Sequence, residues 1–230
     1  MISLFRLRKL NILVSGLFIG AIFIGFGCSK SLYIEQKPIQ FDSTRTELTL
    51  QYLDQHYGVQ KQQPTIDPKM VVVHWTAVPS FEKTFDIFDP PTLRNSRPDL
   101  QGAGALNVSA HYLVGRDGRV AQLLPDTLMA RHVIGLNHAA IGIENVGGPD
   151  HPLTEAQLQA NARLIRQLAG KYDIQYLIGH YEYKLFEGHP LWKEQDDGYR
   201  TVKQDPGISF IYRLRHRLND LHLKGVPAQK

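Results

Sequence analysis

The run "MVVVHW", residues 70–75, places the strongest limit on the fold. Three valines in a row read as a strand buried on both faces, so the sheet that contains it needs helices packed against it. The same strand delivers His74 at its end, followed by Trp75. A histidine beside apolar residues is ordinarily a satisfied core or surface group, and it acquires chemistry only if partners exist elsewhere in the chain.

Other elements are legible around that strand. "STRTELTLQYLDQHYG" predicts a helix that Ser43 or Thr44 caps and Gly58 ends, after which "KQQPTIDP" is a loop. Residues 79–107, rich in Pro, Asn, Gly and Asp, show no clean period; a stretch of that length is functional or contains short helices. "NVSAHYLVGRDGRVAQLLP" predicts a hairpin about the turn "GRDG", with His111 and Tyr112 on opposite faces, one packed in the core and one walling a cleft. "AAIGIENVGG" is a short strand. In "LTEAQLQANARLIRQLAGKYD", Thr154 and Gln157 form a capping box ahead of a helical apolar stripe. "IQYLIGH" is another strand and also ends in a histidine, His180; "ISFIYRLRHRLNDLHLK" predicts a last helix. The expected fold is α/β, a mixed central sheet of about five or six strands flanked by helices.

The amino terminus needs separate treatment. Arg6, Arg8 and Lys9 precede an apolar run from Leu10 to Gly27 that ends at Cys28, the single cysteine. This is a secretion signal or a membrane anchor, outside the fold proper. Its end resembles a bacterial lipoprotein signal, which implies removal of residues 1–27, a lipidated Cys28 as membrane anchor, and export to face the cell wall. Ser29, in place of the aspartate of enteric inner-membrane lipoproteins, points to the outer membrane and periplasm. Residues 28–65 are then a tether and helix, 66–223 the main domain and 224–230 a tail. Removing the three early cations takes the net charge from +4 to +1, which excludes the concentrated basic face of a nucleic-acid binder.

Of the ten histidines, His74 and His180 stand apart because each ends an apolar strand, where a rigid scaffold fixes a side chain whose tip meets solvent. Two such histidines suggest a metal. Catalytic zinc takes three protein ligands and a water, and the third ligand could be Asp205 in "VKQDPG", where a Pro-Gly turn pins the carboxylate; Asp205 as a helix cap is the competing reading.

At this point the chain resembles the zinc-dependent N-acetylmuramoyl-L-alanine amidases of the type-2 class, related to peptidoglycan recognition proteins. "VVVHWTA", "VSAHYLVGRDGRVAQLLP", "RHVIGLNHAAIGIENVG", "LIGHYEY" and "VKQDPG" occur in the family's order over residues 66–215. The resemblance implies a zinc ion held by His74, His180 and Asp205, Glu144 as the residue that activates water, and Lys203 as the oxyanion-stabilising group. It places His132 and Asn137 on the substrate cleft, with Trp75 and Tyr112 as further candidates for its wall. The implied substrate is peptidoglycan or muropeptide, cut between N-acetylmuramic acid and L-alanine by a monomer. A non-catalytic peptidoglycan-binding module and a zinc peptidase acting on another cell-wall amide are the alternatives. The segment between His180 and Asp205 is longer than in compact bacterial members; it is a surface insertion or a lip over the cleft, and its His189 is a rival to His180 as ligand.

Overall fold

A computed structural model describes residues 32–93 and 102–228. The signal or anchor reading, and Cys28 with it, lies outside these residues. Among the described residues no helix is long and apolar enough to cross a membrane.

The sheet has six strands: β1 (Ile34–Gln36), β2 (Met70–Trp75), β3 (Tyr112–Val114), β4 (Val120–Gln122), β5 (Ala140–Asn145) and β6 (Tyr176–Gly179). Their order is β1-β4-β3-β5-β2-β6, and every pair is parallel except the β3–β4 hairpin. The valine strand β2 therefore sits between β5 and β6, and its residues 70–74 are buried.

Side chains alternate across the sheet. Val71, Val73, Ile141, Ile143 and Leu177 face α3 (Glu155–Lys171) and α4 (Ile208–Arg217). Met70, Val72, Ala140 and Ile178 face the other way, against Tyr52, Leu53 and Tyr57 of α1 (Ser43–Tyr57). Leu113 and Ala121 pack on that same side against α2 (Phe81–Phe88), a helix lying within the long segment that had no clean period. Residue parity thus sends His74 and Glu144, partners in the β2–β5 register, to the α1–α2 side at the carboxyl ends of parallel strands, where open α/β sheets bind ligands.

Several local features differ from the sequence reading. The segment read as a tether contributes β1, which pairs with the free edge of β4, and from Leu32 onward the chain packs as one compact unit. Asp42, not Ser43 or Thr44, caps α1: its carboxylate accepts the Arg45 N–H at 3.0 Å. The Thr154–Gln157 capping box is formed as expected. The last helix stops at Arg217 and gives way to a 3₁₀ turn at Asn219–Leu221. Beyond it, Lys224 exchanges backbone hydrogen bonds with Gln175 and Leu177, so the tail runs beside β6.

Candidate active site

Three segments bring their side chains to one point. His74 is fixed from behind by two buried amides: Asn145 Nδ2 donates to the His74 carbonyl at 3.0 Å, and Asn161 Nδ2 donates to Asn145 Oδ1 at 2.7 Å. His180 opens the 3₁₀ turn His180–Phe186 directly after β6. Glu182 holds that turn, accepting the Gly179 N–H at 2.8 Å while it pairs with Arg215 of α4 at 2.6 Å. The Tyr181 N–H donates to the Asp205 carbonyl at 3.0 Å. Gly179 allows this close approach, since a Cβ there would stand 2.8 Å from Pro206 Cδ.

The result is a buried triangle. His74 Nδ1 and His180 Nδ1 are 2.9 Å apart, and Asp205 Oδ2 lies 3.0 Å from the second and 3.3 Å from the first. Two donors held 2.0–2.1 Å from a common tetrahedral centre are about 3.3 Å apart, so these edges fit a zinc-sized ion. Hydrogen bonding alone does not satisfy the triangle. With both nitrogens protonated, two N–H groups oppose each other; with one protonated, lone pairs oppose each other across another edge. A cation at the centre relieves either conflict. Among the described residues this is the one group of three such side chains within ligating reach.

The electrostatics agree with that use. Burial lowers the His74 imidazole to about 4, helped by the neighbouring His180 and Lys203 and opposed by Asp205, so it is neutral at physiological pH, as a ligand must be. Burial pushes the Asp205 carboxyl up, but His180 and His74 outweigh it and hold the group well below the usual carboxylate range.

A cleft of about 410 Å³ opens over the triangle. Glu144 and Lys203 both line it, Glu144 in register with His74 and Lys203 two positions before Asp205. Trp75 forms part of the wall, its ring close to Gly207 at the start of α4. The α2 residues Thr84, Ile87 and Phe88 line it as well.

The family model for N-acetylmuramoyl-L-alanine amidase matches residues 62–208. The chain belongs to this family. The endolysin of Klebsiella phage KP32 is 32% identical over 122 residues, 50% of this chain and 76% of that protein. The endolysin of Escherichia phage T7 is 34% identical over 85 residues, 34% of this chain and 56% of that one. The 1,6-anhydro-N-acetylmuramyl-L-alanine amidase AmpD of Citrobacter freundii is 32% identical over 119 residues, 46% of this chain and 63% of its own length. The chain thus spans little more than half of the T7 relative. Among solved structures, the N-acetylmuramoyl-L-alanine amidase LysC from Clostridium intestinale URNW superposes with a TM-score of 0.51 at 18% identity, covering 84% of this chain and all of that one. A crystal structure of AmpD gives 0.50 at 24%, covering 80% and 93%. At those identities the likeness is one of fold.

Not every expected wall residue of this amidase-family chain faces the cleft. Tyr112 is turned to the α3 side, where its hydroxyl donates to the buried Asp126. Parity on β3 puts His111 on the site side instead, fully buried, with Nδ1 accepting the Gly142 N–H at 3.0 Å and Nε2 donating to the Leu128 carbonyl at 2.8 Å. Asn137 lines the cleft, but its polar atoms are engaged internally. Its carbonyl accepts the backbone N–H of His132 and Val133, and its amide donates to Tyr57; it braces the 132–137 turn. His132 lines the cleft as expected and also contacts His74, 3.0 Å away. His189 meets the Tyr176 hydroxyl at 3.2 Å and is no rival to His180.

The extra segment between His180 and Asp205 is a built wall. Glu194 accepts from His56 of α1 at 2.8 Å, Trp192 lies against Gly135 and stacks on Tyr183, and the Tyr199 hydroxyl accepts from Arg131 at 3.1 Å. Arg131 and Tyr199, neither of them a candidate in the sequence, both line the cleft. No periodicity or spacing marks them, because their pairing spans 68 residues.

Proposed function

We propose that this protein hydrolyses the amide bond between N-acetylmuramic acid and L-alanine in peptidoglycan or its fragments, with zinc held by His74, His180 and Asp205. The observation that carries the reading is the buried His-His-Asp triangle under a cleft that Glu144 and Lys203 share, in a chain of the amidase family. Zinc bound there would act as a Lewis acid and lower the pKa of its bound water towards about 7.

The chain's own residues account for the rest. Glu144, at the cleft floor beside His74, takes the proton of the attacking water and delivers it to the departing amine of L-alanine, as general base and then general acid. The Lys203 ammonium faces the oxygen on which negative charge develops and stabilises it. Burial holds His74 neutral, so its lone pair would be available to the metal, and Asp205, held well below the usual carboxylate range, would bind as the carboxylate. The cleft wall made by Trp75, α2, Tyr199 and residues 201–204 would border the substrate.

Mass spectrometry of muropeptides digested by the full-length protein tests the reading. The expected products are stem peptides with a free L-alanine amine, lost on chelation and restored by zinc. Glu144→Ala lowers the rate by about 10²–10⁴, the range for a general base, while still binding zinc, and His180→Ala binds zinc poorly. Cleavage at another amide would establish the peptidase instead, and zinc binding without turnover the binding module. Wild-type rates in both variants would remove the site assignment.

A further inference from the structure

His132 is not among the three ligating residues, and its contacts form a chain that runs from the backbone of β5 to one of them. Its Nε2 lies 3.2 Å from the Ala140 carbonyl, and its Nδ1 lies 3.0 Å from His74 Nε2. A carbonyl oxygen only accepts, so the proton of a neutral His132 imidazole sits on Nε2 and Nδ1 is bare. The contact with His74 then needs a proton on His74 Nε2. That assignment leaves the lone pair of His74 on Nδ1, the atom that faces His180 Nδ1 and Asp205 Oδ2.

The surroundings hold His132 in this one orientation. Its ring lies flat on Gly142, where a Cβ would stand 2.8 Å from Cγ and 2.9 Å from Nδ1. Its backbone N–H is tied to Asn137 Oδ1. The His111 ring meets it edge-on, the centroids 5.9 Å apart, and His111 is itself locked between the Gly142 N–H and the Leu128 carbonyl. The missing side chain at position 142 thus serves the centre at one remove, because any larger residue would lift the ring away from His74.

We propose that His132, seated on Gly142 and anchored on the Ala140 carbonyl, is a positioning residue that fixes the tautomer of His74 and so presents its Nδ1 lone pair to the metal. The proposal rests on the zinc reading above. It gives His132, which also lines the cleft, a role toward the metal. Partners that orient a metal-bound imidazole in this way are worth 10–100-fold in metal affinity.

The test measures zinc affinity by chelator competition on the full-length protein kept in detergent, comparing wild type with His132→Leu, His132→Asn and Gly142→Ala. His132→Leu and Gly142→Ala are expected to bind zinc about 10–100-fold more weakly. His132→Asn, whose Oδ1 stands where Nδ1 stood, retains most of the affinity, which separates an acceptor at that atom from mere filling of space. A long-range proton–nitrogen spectrum of the zinc-loaded wild type, with only histidine labelled, reads the tautomers directly and needs no variant to fold. The expected spectrum has the proton on Nε2 of both His74 and His132. A proton on His132 Nδ1, or wild-type affinity in His132→Leu, overturns the proposal. Failure of the wild type to bind zinc would instead overturn the zinc reading on which it rests.

Discussion

His111 makes a quantitative test of how the site floor is built. Burial lowers its imidazole from 6.5 to about 4, against weaker opposing effects from the Leu128 carbonyl and Asp126. In the unfolded chain the same group takes up a proton near its ordinary value. Between pH 6.5 and 4 the unfolded state therefore binds more protons than the folded one, and stability rises with pH across that window. The contribution is complete above pH 6.5 and is lost as pH falls toward 4. At 1.36 kcal/mol per unit the loss amounts to about 3 kcal/mol. His111→Asn removes the titration and keeps an acceptor for the Gly142 N–H, but it leaves the Leu128 carbonyl without its imidazole donor, a cost of about 1–3 kcal/mol at pH 7. Urea unfolding followed by tryptophan fluorescence, with chelator present so that metal release adds nothing to the slope, gives both stabilities at each pH. The wild type is expected to be the more stable at pH 7, and the difference shifts by about 3 kcal/mol in the variant's favour as pH falls to 4. Parallel curves over that range would refute the claim that His111 is held neutral in the fold.

Two further outcomes follow from the placement of other side chains. Tyr112→Phe removes one of several donors to Asp126, which keeps Gln122, Lys171 and Tyr172; it should cost about 1 kcal/mol in unfolding and leave muropeptide turnover unchanged, whereas a large loss of rate would mean that Tyr112 reaches the substrate after all. Glu194→Ala leaves the His56 imidazole without its acceptor in the buried contact that fastens the extra segment to α1; a loss of about 1–3 kcal/mol is expected in the same assay, and an unchanged stability would show that the segment is not anchored there.

The parts of this molecule that could be read from sequence are those whose cause is local. Apolar runs announced β2 and β6, the turn "GRDG" announced the hairpin, and Thr154 with Gln157 announced the start of α3. His74 and His180 stood out because a strand end is itself a local feature, and Asp205 because a Pro-Gly turn follows it. The α1 cap lies one or two residues before the expected position because Asp42, Ser43 and Thr44 are all competent caps, and the choice depends on which side chain reaches the Arg45 N–H.

What escaped sequence reading depends on register and on long-range contacts. Alternation alone shows that His111 and Tyr112 face opposite ways, but which one faces the site is set by pairing with β5, where Tyr112 lies opposite Ile143 and Leu113 opposite Glu144. A one-residue slip would exchange their roles. The support of the centre is equally non-local. His132 meets His74 across 58 positions, and Glu194 meets His56 across 138. Neither pair leaves a periodic trace, because a hydrogen bond between distant segments constrains residue type at two positions and nothing in between. The proposed metal ligands at strand ends are therefore easier to recognise than the groups proposed to aim them. A substitution such as Gly142→Ala, which deletes no ligand and no charge, is for that reason the change most easily misjudged as harmless from sequence alone.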